Sequence, residues 1–322
     1  ASVALFITKG FRDLLQIGHQ ARPELFKLAI KKPQQLYRCT KEVGERICHN
    51  GKVVRQLEVD DVREDLQRIH RMGITSVAIV LMHSWKNPEH EKRVAQIARE
   101  LGFRQVSVSH EIMPLIKILG RGQTTVVDAY LSPILMHYID SVKAFTGSIP
   151  LEFMQSSGGM TNADSFTGKD AIISGPAGGV IGASEVAKIN GLDEVIAFDM
   201  GGTSTDVSRF GGRFEKVFEV ETGGIQFQAP SLNINTVAAG GGSILWFDGQ
   251  KIRVGPESSG ADPGPACYGL GGPLSLTDAN LMLGRIVPQF FPATFGPTQN
   301  LLLDVAAATE KLEELTGSVN RR

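Results

Sequence analysis

The residues best suited to chemistry lie in one short stretch, residues 195–208, which reads Val-Ile-Ala-Phe-Asp-Met-Gly-Gly-Thr-Ser-Thr-Asp-Val-Ser. The pattern predicts a buried strand, a tight Gly-Gly turn and a second strand. Glycines let a backbone approach a polyanion closely, and threonine hydroxyls near the turn can add hydrogen-bond donors. An aspartate at the strand end could hold Mg²⁺ or orient an attacking water. The predicted phosphate-binding residues are Gly201, Gly202, Thr203 and Thr205, with Asp199 as the acidic residue.

A plain polar hairpin would use the same glycines only to turn the chain, so the surrounding sequence decides between the two interpretations. Further glycine clusters occupy residues 155–159, 174–179 and 238–243. The cluster at 174–179 opens a predicted helix, whose N-terminal dipole favours an anion, although close packing of a helix on a sheet requires the same residues. The chain contains neither the P-loop nor the Rossmann glycine pattern. The sequence therefore favours a phosphate site built on the hairpin.

Composition narrows the class of protein. The 322 residues are 42% hydrophobic, enough for a substantial core in two domains. The 33 basic and 34 acidic side chains nearly cancel, which argues against binding to nucleic acid or to an anionic membrane. Three cysteines without repeated spacing predict neither disulfides nor a zinc site and are typical of a reducing cytoplasm. No apolar run is long enough to span a membrane. A small-molecule substrate is expected.

The sequence pattern changes near residue 150. Residues 61–110 alternate helix and strand, which predicts a crossover unit with parallel strands. Residues 124–145 predict a longer helix, interrupted near Pro133. From residue 150 onwards short strands alternate with glycine clusters, and a last helix at 301–315 precedes a frayed tail. These features predict an α/β protein with an N-terminal lobe at residues 1–148 and a glycine-rich nucleotide-binding lobe at 149–322.

The ordered blocks at residues 10–18, 174–179, 198–208, 234–243, 255–258 and 262–268 resemble those of the hydantoinase/oxoprolinase family. Residues 121–125 and 271–280 are most similar to its oxoprolinase branch. The resemblance implies an actin-like, ribonuclease H-like fold with mixed sheets flanked by helices. It also implies roles for single residues: Asp199 as a Mg²⁺ ligand and, with Asp206, as a catalytic residue, and Gly178, Gly179, Gly201, Gly202, Thr203, Thr205, Gly240, Gly241 and Gly242 as nucleotide-binding residues.

The activity implied by the resemblance is ATP-dependent hydrolysis of a cyclic amide with Mg²⁺, either 5-oxoproline to glutamate, a step of glutathione metabolism, or opening of a hydantoin. The partners implied are a small cyclic amide and a hydantoinase B-like domain or subunit, and a homo-oligomer is compatible with them. A sugar-kinase-type phosphotransferase would use the same hairpin with Asp199 as base.

Some positions depart from the family pattern. In members of the family, the sequence of a first phosphate hairpin resembles Asp-x-Gly-Gly-Thr-x-Thr-Asp. We do not find this pattern before Gly10. Ser157 and Asn233 are neutral where oxoprolinases often carry acids. These departures predict weak or absent turnover for this chain alone, and they leave a non-catalytic binding module open.

Five other residues could in principle do chemistry. Asp262 and Asp278 lie in glycine-rich surroundings and could touch metal or substrate, although Asp278 is equally plausible as a helix N-cap. Cys267 is expected to be a buried structural thiol, and His83 and His110 are expected to be structural.

Overall fold

A computed structural model describes residues 2–19, 26–30, 32–222 and 224–320. The strands are β1 (Val3–Thr8), β2 (Tyr37–Val43), β3 (Arg46–Ile47), β4 (Val53–Arg55), β5 (Ser76–Val80), β6 (Gln105–Val108), β7 (Glu152–Met154), β8 (Met160–Asn162), β9 (Glu194–Met200), β10 (Thr205–Gly211), β11 (Lys216–Thr222), β12 (Ile225–Leu232), β13 (Asn235–Val237), β14 (Ser243–Phe247) and β15 (Ile252–Ser258). The helices are α1 (Leu14–Ile17), α2 (Val59–Arg71), α3 (Glu89–Glu100), α4 (Ser109–Ile112), α5 (Ile118–Thr146), α6 (Ser174–Ile189), α7 (Leu276–Met282) and α8 (Val305–Asn320). Short 3₁₀ turns occur at Ala163–Ser165, Gly168–Asp170, Ala266–Tyr268 and Pro288–Phe290.

The chain divides into two compact units. Unit 1 comprises residues 1–178 and 215–232, and unit 2 comprises residues 179–214 and 233–322. The predicted lobes at 1–148 and 149–322 divide the chain differently. The difference arises because two segments of the predicted second lobe pack on α5 in unit 1. Ala163 and Phe166 pack with Ile139, and the β11–β12 hairpin packs near Thr124, where the Gln228 backbone amide donates to Thr124 Oγ1 at 2.8 Å.

Unit 1 is organised around a parallel sheet with the strand order β2-β1-β5-β6. Side chains alternate along β1, as the period of two requires. Leu5 and Ile7 pack with Leu15 and Val126 on one face, and Phe6 packs in a separate cluster on the other. The sheet is therefore covered by helices on both sides, and the crossover unit predicted for residues 61–110 is present.

Helix α5 runs unbroken through Pro133, whereas the sequence predicts an interruption there. Proline lacks the N–H that would bond the carbonyl four residues earlier, at Ala129. In the structure the Ser76 hydroxyl donates to that carbonyl at 2.6 Å. A side chain from the neighbouring strand thus replaces the missing donor, and the helix continues.

Unit 2 contains a three-stranded antiparallel sheet with the order β13-β10-β9, the β14–β15 hairpin, α7, α8 and the part of α6 that starts at Gly179. A small core of Cys267, Leu281, Leu303 and Ala308 joins the last helices. Helix α8 extends to Asn320, so the tail predicted as frayed is helical up to that residue, and residues 321–322 lie outside the described part. Among the described residues, no helix combines the length and the apolar character that crossing a membrane requires.

Candidate functional site

The predicted hairpin forms, and its turn is open to solvent. The prediction that its first strand is buried is wrong, because β9 carries no buried side chain and Ile196 and Phe198 are largely exposed. Strands β9 and β10 pair with Met200 opposite Thr205, and the Gly201 amide closes the turn by donating to the Ser204 carbonyl at 2.9 Å. Gly202 and Thr203 form an exposed tip. The amides of these two residues donate to no acceptor among the described residues. The tip therefore has the free N–H groups that a phosphate requires.

A second glycine loop, residues 238–243, lies directly against this hairpin. The Gly241 amide donates to the Gly201 carbonyl at 3.0 Å, and the Gly242 amide donates to the Gly202 carbonyl at 2.6 Å. A Cβ placed on Gly240 would come within 2.6 Å of the Gly202 carbonyl oxygen. Gly240 and Gly242 are thus needed for close approach of two backbone segments. The amides of Gly241 and Gly242 hold the hairpin, whereas the Gly240 amide donates to Ser243 Oγ at 2.9 Å. Their predicted contact with a nucleotide stays a prediction.

Two threonine hydroxyls donate hydrogen bonds to backbone carbonyls of the second glycine loop. Thr205 is buried, and its Oγ1 donates to the Ala239 carbonyl at 2.5 Å. Thr277 Oγ1 donates to the Gly241 carbonyl at 2.9 Å. Thr203, in contrast, is exposed at the tip. Of the two threonines predicted to contact phosphate, Thr203 has the accessible hydroxyl and Thr205 supports the backbone.

Asp199 and Asp206 occupy directly opposed positions on the two strands, so their side chains lie on the same face of the sheet. Like charges in such a pair repel each other, which a bound cation would relieve. Asp206 Oδ1 accepts a hydrogen bond from Thr236 Oγ1 at 2.6 Å, and Asp199 is exposed. Mg²⁺ is usually held by one or two carboxylates together with waters and phosphate oxygens. The donor set fits Mg²⁺, and no group of three or more metal-ligating side chains occurs among the described residues.

The predicted helix glycines have different surroundings. A Cβ on Gly179 would lie 3.8 Å from Asp199 Oδ2, so this glycine borders the carboxylate. Gly178 belongs to unit 1, where the nearest side chain is Met154. Both residues lie within α6, beyond the first four amides that lack intrahelical partners. Their N–H groups are thus committed to the helix, and their predicted cofactor contacts stay predictions.

The structure gives the buried acid Asp278 a supporting role. Its carboxylate accepts from the amides of Ala266, Cys267 and Ser275 and from the Ser275 hydroxyl, at 2.7–3.2 Å. Ser275 is the N-cap of α7, and Asp278 completes the capping box. Burial raises the pKa of the neighbouring Cys267 thiol, as does Asp278, so this thiol is a poor nucleophile. Asp262 is exposed.

Sequence reasoning missed the residues that support the hairpin from β13 and the loop that follows it, namely Thr236 and Ala239. Thr236 contacts Asp206 from 30 residues away, and the Ala239 carbonyl accepts from Thr205 across 34 residues. A signal was available, because residues 234–243 form one of the family-like blocks. Strand β13 lies beside β10, which brings both residues to the hairpin.

Comparisons with known proteins agree with this fold. The pattern of the hydantoinase/oxoprolinase family matches residues 121–322, and that of the hydantoinase/oxoprolinase N-terminal region matches residues 1–102. The chain belongs to the hydantoinase/oxoprolinase family. It is 44% identical to 5-oxoprolinase of Dictyostelium discoideum and 46% identical to 5-oxoprolinase of Saccharomyces cerevisiae, over 99% of the chain in both cases. It spans 28% and 27% of the lengths of those two relatives.

Two solved structures share the fold. Nucleotide-free acetone carboxylase matches with a TM-score of 0.80 at 24% identity, over 99% of this chain and 48% of that one. The ATP-dependent caprolactamase from Pseudomonas jessenii matches with a TM-score of 0.74 at 32% identity, over 97% of this chain and 46% of that one. The predicted α/β architecture of the actin-like type is confirmed. Each sheet of the described residues, however, is either parallel or antiparallel, and none mixes the two as predicted.

Proposed function

We propose that this chain is the nucleotide-binding part of an ATP-dependent cyclic-amide hydrolase, with 5-oxoproline as its substrate. The observation that carries the proposal is the in-register pair Asp199 and Asp206 beside the exposed tip Gly202-Thr203. The pair offers two oxygen ligands to a cation, and the tip offers N–H groups to phosphate oxygens. Relatives named 5-oxoprolinase, at 44% and 46% identity, support the choice of reaction.

The chemistry explains why such a site would be needed. An unstrained amide is a poor electrophile, and bound ATP would supply a phosphoryl group to the amide oxygen. Water could then add to the carbonyl carbon, the ring nitrogen could leave with a proton, and a second water could release the phosphate. Asp199 and Asp206 would hold Mg²⁺, whose charge would offset that of the phosphates. The hairpin would fix the phosphate direction through the amides of Gly202 and Thr203. The protein would thus contribute mainly positioning and charge compensation.

Several finer features belong to the same proposal. The enzyme would work in the cytoplasm, in glutathione metabolism, as the oxoproline reaction implies. One relative, 34% identical over 88% of the chain, is named caprolactamase subunit alpha. This name supports a second, hydantoinase B-like domain or subunit as a partner.

A chimera tests the reaction. The segment of the Saccharomyces cerevisiae 5-oxoprolinase that matches this chain, 27% of that protein, is replaced by residues 1–322. We expect 5-oxoproline-dependent release of ADP, phosphate and glutamate. Asp199→Asn should lower the rate at least about 100-fold, because the metal loses a carboxylate ligand. The matched control Asp193→Asn alters another exposed aspartate of unit 2 and should retain the rate.

The products separate this proposal from the alternatives. A phosphorylated product without free phosphate would favour the kinase-type reaction. A folded chimera without nucleotide turnover, with the yeast parent active in the same assay, would favour a non-catalytic module. An unchanged rate in Asp199→Asn would contradict the role given to the carboxylate pair.

A further inference from the structure

Strand β9 of unit 2 has the residue types of a buried strand, but none of its side chains is buried. It lies at an edge of its sheet and, among the described residues, pairs only with β10. Residues 195–198, Val-Ile-Ala-Phe, form a continuous apolar run. Such runs are typical of strands that are covered on both faces and have parallel neighbours. The composition of β9 therefore calls for cover that the described residues do not provide.

Helix α6 covers one face of the strand. Asp199 faces this helix, because a Cβ on Gly179 would lie 3.8 Å from Asp199 Oδ2. Phe210 of β10 is paired with Val195, and Lys188 of α6 lies over the ring of Phe210. Side chains two or four positions apart on a strand share a face. Helix α6 therefore lies on the face that carries the acidic pair.

The opposite face of the sheet is apolar and open. Ile196, Phe198 and Met200 alternate with the residues that face α6, and all three are exposed. Val207 of β10 is directly opposite Phe198, and the exposed Val237 of β13 lies in line with Met200 across β10. Apolar side chains of three strands thus form one continuous surface. Surfaces of this kind are typical of interaction sites.

The free edge of β9 also lacks the features that protect open strands from pairing, which are short length, charged side chains, proline and bulges. Strand β13, at the other edge of the sheet, has three residues, and Asn235 and Thr236 are polar. Strand β9 has seven residues, no proline and no charged residue between Glu194 and Asp199. The edge of β9 is therefore suited to pair with another strand.

The solved relatives contain much more polypeptide than this chain aligns with. The matches cover 48% of acetone carboxylase and 46% of caprolactamase, so more than half of each chain lies outside the match. A second copy of this chain fits the surface less well. A two-fold axis would join two β9 edges antiparallel and leave Ile196 and Phe198 open. A parallel strand, in contrast, needs a crossover connection, usually a helix, and that helix can cover a face of the sheet.

We propose that the free edge of β9 is a docking site for a strand that runs parallel to it, supplied by the polypeptide that corresponds to the unmatched part of the longer relatives. The crossover helix of that strand packs on Ile196, Phe198 and Met200. Because this helix lies on the face opposite the acidic pair, docking supports the strand that carries Asp199 from behind.

The isolated chain tests whether the surface is open. Ile196→Lys combined with Phe198→Lys should leave the urea midpoint of unfolding within about 0.3 M of the parent value, since exposed positions tolerate charge. The control Ile79→Lys, at a fully buried position of β5, should prevent folding. Unfolding of the double variant would show that the face is already packed and would overturn the proposal.

The chimera with the Saccharomyces cerevisiae 5-oxoprolinase tests what covers the surface. Hydrogen exchange of residues 194–200, followed by mass spectrometry, is compared between the chimera and the isolated chain. We expect exchange to slow at least about 100-fold in the chimera, because the free amides of β9 gain partners. Residues 235–237, at the polar edge, should exchange equally in both proteins.

Phe198→Asp in the chimera should abolish the added protection, because the charge would be buried against the helix. The matched control Asn235→Asp adds the same charge at the polar edge and should retain the protection. Should the chimera not fold, this chain is co-expressed with the remainder of the yeast enzyme. A complex should then form with the unaltered chain and be lost in Phe198→Asp, and no complex with the unaltered chain would contradict the proposal.

Equal exchange of residues 194–200 in the chimera and in the isolated chain would overturn the proposal. Protection in the isolated chain that increases with protein concentration would assign the surface to a second copy instead. Electron cryo-microscopy of the chimera should show a strand beside β9 that runs in the same direction, and an antiparallel strand or none would also overturn it. An inactive chimera leaves these readouts intact, since none of them requires hydrolysis of a cyclic amide.

Discussion

The two units differ in how deeply they bury their charged side chains. Unit 1 buries its charges, since Arg121 and Glu91 lie at 0% exposure among hydrogen bonds at the end of a sheet covered on both faces. Unit 2 carries its acidic pair on a three-stranded sheet, where Asp199 is exposed and Asp206 is half-buried. Ile196 and Phe198, which share strand β9 with Asp199, are 73% and 68% exposed. Rigidity comes from packing in unit 1 and from backbone hydrogen bonds around glycines in unit 2. Mutations should therefore separate stability from binding in unit 2 but not in unit 1.

The largest difference is expected from one truncation made in both sheets. Ile79→Ala removes a fully buried side chain from β5 and should lower the free energy of unfolding by about 3 kcal/mol. Ile196→Ala in β9 should change it by less than about 0.5 kcal/mol. Urea denaturation of the two variants measures both values. Equal losses would show that the sheet of unit 2 is packed as tightly as that of unit 1.

A methyl group on the second glycine loop should have the next largest effect. Gly240→Ala places a Cβ 2.6 Å from the Gly202 carbonyl oxygen and should cost about 2 kcal/mol, because the hairpin must move. Gly182→Ala in α6 meets no atom within 4 Å and should stabilise the helix by about 0.5 kcal/mol. Thermal unfolding of the matched pair tests whether close approach is required. An unchanged unfolding temperature in Gly240→Ala would contradict the requirement for close approach.

The two threonines of the hairpin should separate stability from binding. Thr205→Val leaves the Ala239 carbonyl without its donor and should cost about 1 kcal/mol of stability. Thr203→Val, at the exposed tip, should leave stability within about 0.5 kcal/mol while weakening phosphate binding. Urea titrations and nucleotide titrations of both variants provide the comparison. Identical behaviour would remove the distinction between supporting and contacting residues.

The smallest expected effect is the pH dependence of stability, which should have opposite signs for one aspartate of unit 1 and one of unit 2. Burial raises the pKa of Asp128 in unit 1 above its ordinary value of 3.8, so its contribution to stability is present below that value and is lost as pH rises through the folded-state pKa. The Lys251 amide, the Arg253 side chain and the Gln250 amide lower the pKa of Asp248 in unit 2 to about 2. The stability contributed by Asp248 is therefore present above 3.8 and lost as pH falls towards 2.

Unfolding midpoints of Asp128→Asn and Asp248→Asn, each measured against the parent chain from pH 2 to pH 7, test these signs. The destabilisation caused by Asp128→Asn should shrink, or turn into stabilisation, as pH rises. That caused by Asp248→Asn should shrink as pH falls. Parallel profiles would contradict the assignment.

Local patterns predicted much of this molecule. The alternation in residues 61–110 predicted the crossover unit, and residues 195–208 predicted the hairpin, because both depend on neighbours in sequence. The continuity of α5 depends on Ser76, which is 53 residues from Ala129. The division into units depends on a contact between Thr124 and Gln228 across 104 residues. Such contacts have no local signature, so the sequence could not reveal them.

The candidate site also shows that local sequence patterns do not identify distant contacts. Asp199, Gly202 and Thr203 are identifiable from residue type and spacing, and Asp206 from the family resemblance. The structure places all four on one hairpin. The family resemblance predicts that Gly240, Gly241 and Gly242 contact the nucleotide. In the folded chain their amides donate to a serine hydroxyl and to hairpin carbonyls. A glycine pattern indicates close approach but does not specify what approaches.

The central claim, that the hairpin binds phosphate with help from a carboxylate-held cation, is tested most directly by amide NMR. Mg²⁺ and ATP are titrated together and separately into the chain and into Asp199→Asn, with Asp193→Asn as control. We predict that the Gly202 and Thr203 amide resonances shift with ATP in a Mg²⁺-dependent manner. Asp199→Asn should weaken this response at least about tenfold. Resonances that do not move, or that move equally in Asp199→Asn, would contradict the claim.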